Sequence, residues 1–130
     1  MNPFLSAGAF FGSTSLVVII GILLFDMTTK YKLWEEINNG NLAVAFSTSG
    51  IVLGVANIMR FAIASNDSIL TTLLWGGIGT VALLVVYHAF ELLTPKLKVS
   101  EEIGKGNKAV GFIAFIFSIA FSYIIGASIS

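Results

Sequence analysis

Four stretches of this chain carry no charged residue: Met1 to Phe25, Ile37 to Met59, Ser68 to Phe90 and Ala109 to Ser130. Each is longer than the roughly 20 helical residues that cross a hydrocarbon core about 30 Å thick. Within such a core the backbone must satisfy its own hydrogen bonds, and at this length only an α-helix does so without a partner strand. The expected fold class is therefore an all-α membrane protein with four transmembrane helices and almost nothing left for a soluble domain. The 56% of hydrophobic and 11% of charged residues lie outside the balance of soluble domains and agree with this. Nothing before Asp26 is charged, so the first stretch lacks the basic flank of a signal peptide and is read as a retained helix.

The charged residues between these stretches repeat. An offset of 66 aligns Thr28, Lys30, Lys32, Glu35, Glu36, Ile37, Gly40, Asn41, Ala43, Val44 and Phe46 with Thr94, Lys96, Lys98, Glu101, Glu102, Ile103, Gly106, Asn107, Ala109, Val110 and Phe112. Each copy holds a helix, a charged loop and a second helix. Residues 1–64 form the first repeat, with its loop over 26–41, and 65–130 the second, with its loop over 91–108. Two spans return the chain to its starting side, so the copies are expected to be parallel and related by a pseudo-twofold axis along the membrane normal.

A Glu-Glu-Ile segment followed by Gly-Asn-x-Ala-Val entering a membrane helix, present twice in a four-helix chain, resembles domain of unknown function family 350, the YjfL-like bacterial membrane proteins. The resemblance covers nearly the whole chain. It implies a small multi-pass protein of the cytoplasmic membrane and supplies no catalytic residues.

In local terms the repeated phrase reads as a corner. Thr28 and Thr94 are expected to cap short helices, with Pro95 in the first turn of the second. Leu33, Trp34 and Ile37 would face lipid and Lys32, Glu35 and Glu36 water, the pattern of a short interfacial helix. Glu101 stands four residues before Lys105, the favourable order for a helical pair. Gly40 and Gly106 would end these helices in the left-handed region, and Asn41 and Asn107 would cap the next membrane helix. The sharper alternative is that Glu35, Glu36, Glu101 and Glu102, with Gly40, Asn41, Gly106 and Asn107, dock a cation or a partner. Adjacent glutamates on a helix diverge by about 100°, so one copy alone makes a poor chelate.

Orientation follows from the lysines. Lys30 and Lys32 lie in loop one and Lys96, Lys98, Lys105 and Lys108 in loop three, while the connection around Ser65 to Asp67 has none. Loops one and three are accordingly expected in the cytoplasm, with both termini outside. Arg60 is the exception, placed near the outer end of the second span, where its side chain can reach the headgroups.

Ionisable groups near the spans are few. Asp26 and Glu91 close the first and third spans, and His88 lies one turn deeper than Glu91 on the same face, placed to share a proton or hydrogen bond. These three, with Arg60 and Asn57, are the candidate proton or ion residues; the bland reading of His88 is a hydrogen-bonded packing residue. No metal ligand set, haem or other cofactor is expected. Cysteine is absent, which removes disulfide and thiolate chemistry, and the zero net charge offers no basic surface for nucleic acid.

Small residues recur at helical spacing. Ala43, Ser47, Gly50, Gly54 and Asn57 do so in the second span, Gly111, Ala114, Ser118 and Ser122 in the fourth, and Thr72, Gly76 and Gly79 in the third, which lets backbones approach closely. They pack the four helices of one subunit or face a neighbour. Phe112, Phe115, Phe117 and Phe121 point in several directions, so part of that set must meet lipid or a partner. With no catalytic cluster, the chain reads as no enzyme but an accessory or scaffold subunit of a larger membrane assembly. The alternative is an oligomeric ion or proton pathway through His88 and Glu91. Its partners would be the lipid bilayer and other membrane subunits or further copies of itself.

Overall fold

The structure, a computed structural model, describes residues 2–130. Among the described residues six helices follow in order: α1 (Pro3–Thr28), α2 (Leu33–Asn38), α3 (Leu42–Ser65), α4 (Ile69–Leu93), α5 (Val99–Gly104) and α6 (Lys108–Ile129). Helices α1, α3, α4 and α6 are long and apolar enough to cross a membrane. The offset of 66 separates the starts of α1 and α4, of α2 and α5, and of α3 and α6.

The helix ends follow the caps rather than the limits of the charge-free stretches. Ile37 ends up in α2, and α3 begins only at Leu42, because the chain turns at Gly40 before the membrane helix starts. At the other end α3 runs past Arg60 to Ser65. Asp26 and Glu91 lie inside the last turns of α1 and α4, since a charge at a wet helix end does not interrupt backbone hydrogen bonding.

The two long helices of the second halves, α3 and α6, make the most extensive contact. A Cβ on Gly111 would lie 2.6 Å from the Ala43 carbonyl oxygen, and one on Gly50 would lie 2.8 Å from Phe115 Cα. These positions are therefore restricted to glycine by backbone-to-backbone approach. Ala43, Ser47, Gly54, Ala114, Ser118 and Ser122 are buried along the same seam. Thr72, Gly76 and Gly79 turn inward as well, the two glycines against Met59 and Ile58 of α3. The small-residue stripes thus pack the helices of one chain against each other.

Aromatic rings continue the seam. Phe46 meets its offset counterpart Phe112 edge to face at 5.9 Å, and Phe117 stacks on Phe90 at 4.4 Å and lies 4.6 Å from Phe121. Phe115 lies 6.1 Å from Phe46, so only Phe112 of this set is substantially exposed. The equivalence of the copies does not extend to every contact. Helix α4 packs on α1, α3 and α6, whereas α1 packs substantially on α3 and α4 only. Exchange of the copies would turn the α3·α4 contact into one between α6 and α1, which is at most marginal. Helix α1 is accordingly the least buried of the four and α3 the most.

Candidate functional site

The repeated phrase builds two like corners at one end of the bundle. At the end of α2, Gly40 adopts φ +84°, its N–H bonds the Ile37 carbonyl at 3.0 Å and the Asn41 N–H bonds the Glu36 carbonyl at 2.9 Å. At the end of α5, Gly106 adopts φ +91°, with Gly106 N–H to Ile103 O at 3.0 Å and Asn107 N–H to Glu102 O at 2.9 Å. This paired cap satisfies two terminal carbonyls and requires the left-handed residue that glycine supplies without strain.

The asparagines then start the next helices. The Val44 N–H donates to Asn41 Oδ1 at 3.2 Å, and the Val110 N–H to Asn107 Oδ1 at 3.3 Å. Their amide groups donate back, Asn41 Nδ2 to Glu36 Oε2 and Asn107 Nδ2 to Glu102 Oε1, both at 3.1 Å. The second glutamate of each pair therefore orients the cap, while the first, Glu35 or Glu101, stays exposed. Glu35 lies 3.9 Å from Lys32, and Lys105 reaches Glu101 at 3.2 Å and Glu102 at 3.9 Å. The Lys105 ammonium, by hydrogen bond and charge, holds the Glu101 carboxyl below the usual range.

Two local expectations are corrected here. Thr28 and Thr94 cap no short helix; their hydroxyls donate backwards to Phe25 O at 3.0 Å and Phe90 O at 2.7 Å, closing α1 and α4. Pro95 lies in a turn closed by Leu97 N–H to Thr94 O at 3.0 Å, a position that suits its fixed φ. The apolar side of the short helices faces protein: Leu33 and its counterpart Val99 are buried, as is Ile103, and only Trp34 is exposed. Lys98, just before α5, has φ +51°, whereas its counterpart Lys32 has φ −84°.

Beneath the corners lies a polar cluster. His88 Nε2 lies 2.8 Å from Thr28 Oγ1, and His88 Nδ1 lies 3.8 Å from Glu91 Oε2. The Tyr31 hydroxyl lies 3.2 Å from Ser47 Oγ, and burial raises the Tyr31 phenol above its ordinary value. Tyr87 is fully buried, edge to face with Phe25 at 5.1 Å, and its hydroxyl has no hydrogen-bond partner among the described residues. His88 and Glu91 are thus brought together, joined by Thr28, with Tyr31, Ser47 and Tyr87 alongside. Sequence reasoning missed the tyrosines: Tyr87 precedes the only histidine, and Tyr31 lies between two lysines of the repeat, but nothing local aims either inward.

Asp26 lines a surface cleft with Tyr31 and Lys32, and it makes no ion pair among the described residues. Arg60 and Asn57 lie toward the opposite end of α3. There Asn57 Nδ2 donates to Ser122 Oγ at 3.0 Å, Arg60 Nε donates to Asn57 Oδ1 at 3.2 Å, and the guanidinium covers the Phe61 ring at 4.3 Å. The five candidate proton or ion residues therefore fall into separate groups rather than one site. Among the described residues no three of His, Cys, Asp and Glu converge as metal ligands would.

Residues 1–129 match the family described as Domain of Unknown Function (DUF350). The chain is similar to UPF0719 transmembrane protein YshE of Bacillus subtilis (strain 168), with 41% identity over 128 residues, 98% of this chain and 96% of that one. No solved structure matches it.

Proposed function

The chain belongs to the family described as Domain of Unknown Function (DUF350), and from that premise we propose that it is a non-catalytic accessory or scaffold subunit of a larger assembly in the cytoplasmic membrane. On this reading the corners face the cytoplasm, as the lysine bias suggests, and both termini lie outside. Residues 1–64 and 65–130 then act as parallel tandem repeats. The observation that carries the proposal is the division of labour within each glutamate pair. Glu36 and Glu102 are used inside the corners, while Glu35 and Glu101 remain exposed beside Lys32 and Lys105. Asn41 of one corner donates to backbone carbonyls of the other, so the exposed charges are carried on joined supports. Such a fixed, mixed-charge surface favours partner selection and encounter.

The test is native mass spectrometry of the chain gently extracted from its own membrane, with and without Glu35→Lys and Glu101→Lys. A complex with a different, larger protein that dissociates in the double variant supports the scaffold reading. An unchanged complex, or a closed homo-oligomer without other subunits, sinks it.

A second reading, an oligomeric proton or ion pathway, is favoured by one observation: the His88, Thr28 and Glu91 group, with the buried Tyr87 ring 5.5 Å from the His88 ring. It requires flux in sealed vesicles that His88→Ala or Glu91→Gln removes while folded protein remains. Unchanged flux in both variants, or none in the parent chain, removes this reading.

A further inference from the structure

Arg60 is held on two sides and left open on a third. Its Nε is engaged by Asn57, itself tied to Ser122 of α6, and its flat face lies on Phe61. The terminal nitrogens have no hydrogen-bond acceptor, and no carboxylate lies within 4 Å among the described residues. At 1.5 Å per residue Arg60 stands about 27 Å along α3 from its start at Leu42, close to the far edge of a hydrocarbon core about 30 Å thick. An open guanidinium at that depth takes an anion, and a planar fork fits two oxygens of a phosphate.

The same arginine borders a lateral groove between α1 and α3, about 480 Å³ in volume and mostly apolar. Thr14, Ser15 and Val18 of α1 and Ala56, Met59 and Ile63 of α3 line it. The groove is open on the side that meets lipid, and its apolar walls suit an acyl chain below a headgroup held by Arg60. We propose that this groove is a binding site for one anionic phospholipid in the leaflet opposite the corners, its phosphate on the terminal nitrogens of Arg60 and an acyl chain against Ala56 and Met59. The net negative charge of the lipid matches Arg60, the one charged side chain among the residues that line the groove. A zwitterionic lipid brings its own ammonium into competition for the same phosphate.

The experiment is native mass spectrometry of the full chain released from nanodiscs of equal phosphatidylglycerol and phosphatidylcholine, with Arg60→Gln, Arg60→Lys and Ala56→Leu alongside. The parent chain is expected to retain one phosphatidylglycerol in preference to phosphatidylcholine. Arg60→Gln is expected to lower that retention roughly tenfold, the loss of one charge-assisted hydrogen-bonding group. Arg60→Lys, which keeps the charge without the fork, is expected to fall between, and Ala56→Leu to lower retention of both lipids by narrowing the groove. The folded state of Arg60→Lys and Ala56→Leu is checked by their thermal midpoints, so the result does not depend on Arg60→Gln surviving. Equal retention of the two lipids by the parent chain, or undiminished phosphatidylglycerol in folded Arg60→Lys and Ala56→Leu, overturns the proposal. So does inorganic phosphate alone displacing the lipid, which makes the site one for free phosphate. A dimer lost in Ala56→Leu with lipid retention unchanged assigns the groove to a second copy of the chain instead.

Discussion

The amide nitrogen of Asn41 lies 3.0 Å from the carbonyl oxygen of Gly104 and 3.2 Å from that of Ile103. Asn107 has only the bonds within its own corner, so the otherwise matching pair is joined by a one-way link. Asn107→Ala is expected to remove a helix cap worth about 1 kcal/mol. Asn41→Ala removes the cap and the cross-link, for a loss of roughly 2–3 kcal/mol. Denaturant unfolding in mild detergent checks the order, and equal losses would show that the cross-link contributes nothing.

Gly111 and Gly77 are both helical glycines, but only the first touches another backbone. Gly111→Ala is expected to push α6 off Ala43 and to destabilise by about 1–3 kcal/mol, as overpacking does. Gly77→Ala adds a methyl into open space and is expected to leave the thermal midpoint unchanged or slightly raised. If the two variants unfold alike, the close approach at Ala43 is not limiting.

Lys98 occupies a backbone region that costs side-chain-bearing residues about 1 kcal/mol, and its counterpart Lys32 does not. The same substitution should therefore act with opposite sign. Lys98→Gly is expected to gain roughly 0.5 kcal/mol after the entropy of glycine is counted, and Lys32→Gly to lose a similar amount. Paired thermal melts read the two signs directly.

Glu101 titrates below the ordinary carboxyl value because Lys105 stabilises its ionised form. With the folded value depressed, its contribution to stability is present above the unfolded value and disappears as pH falls through the folded one. Lys105→Gln is expected to move the NMR titration midpoint of Glu101 upward. A midpoint that stays in place would remove Lys105 as the cause.

The spans, the short helices and the glycine corners were legible because each rests on a local rule. Absence of charge sets the spans, positive φ demands Gly40 and Gly106, and an asparagine before an apolar run caps it. Thr28 and Thr94 were misread because a hydroxyl at a helix boundary serves the end of one helix as readily as the start of the next, and only the surrounding backbone decides. Leu33 was assigned to lipid because an apolar side chain at an interface looks the same whether lipid or protein covers it. The cluster of Tyr31, Ser47 and Tyr87 joins segments far apart in sequence, so no spacing rule reaches it. The docking role proposed for the exposed glutamates is likewise not written in their identity, whereas the corner roles of Glu36 and Glu102 follow from their bonds to asparagine.

The burial of α3 bears on how the chain is made. During synthesis α3 emerges with Ser47, Thr48, Asn57 and Arg60 before the helix that covers much of it exists. Until α6 arrives, Gly50 and Gly54 have no Phe115 or Ser118 to meet, and Asn57 has no Ser122. A polar stripe exposed to hydrocarbon is costly and marks the bundle as incomplete. The docking of the last helix is thus the step that hides this mark, and a nascent chain stalled before it is the form that proteases are expected to clear.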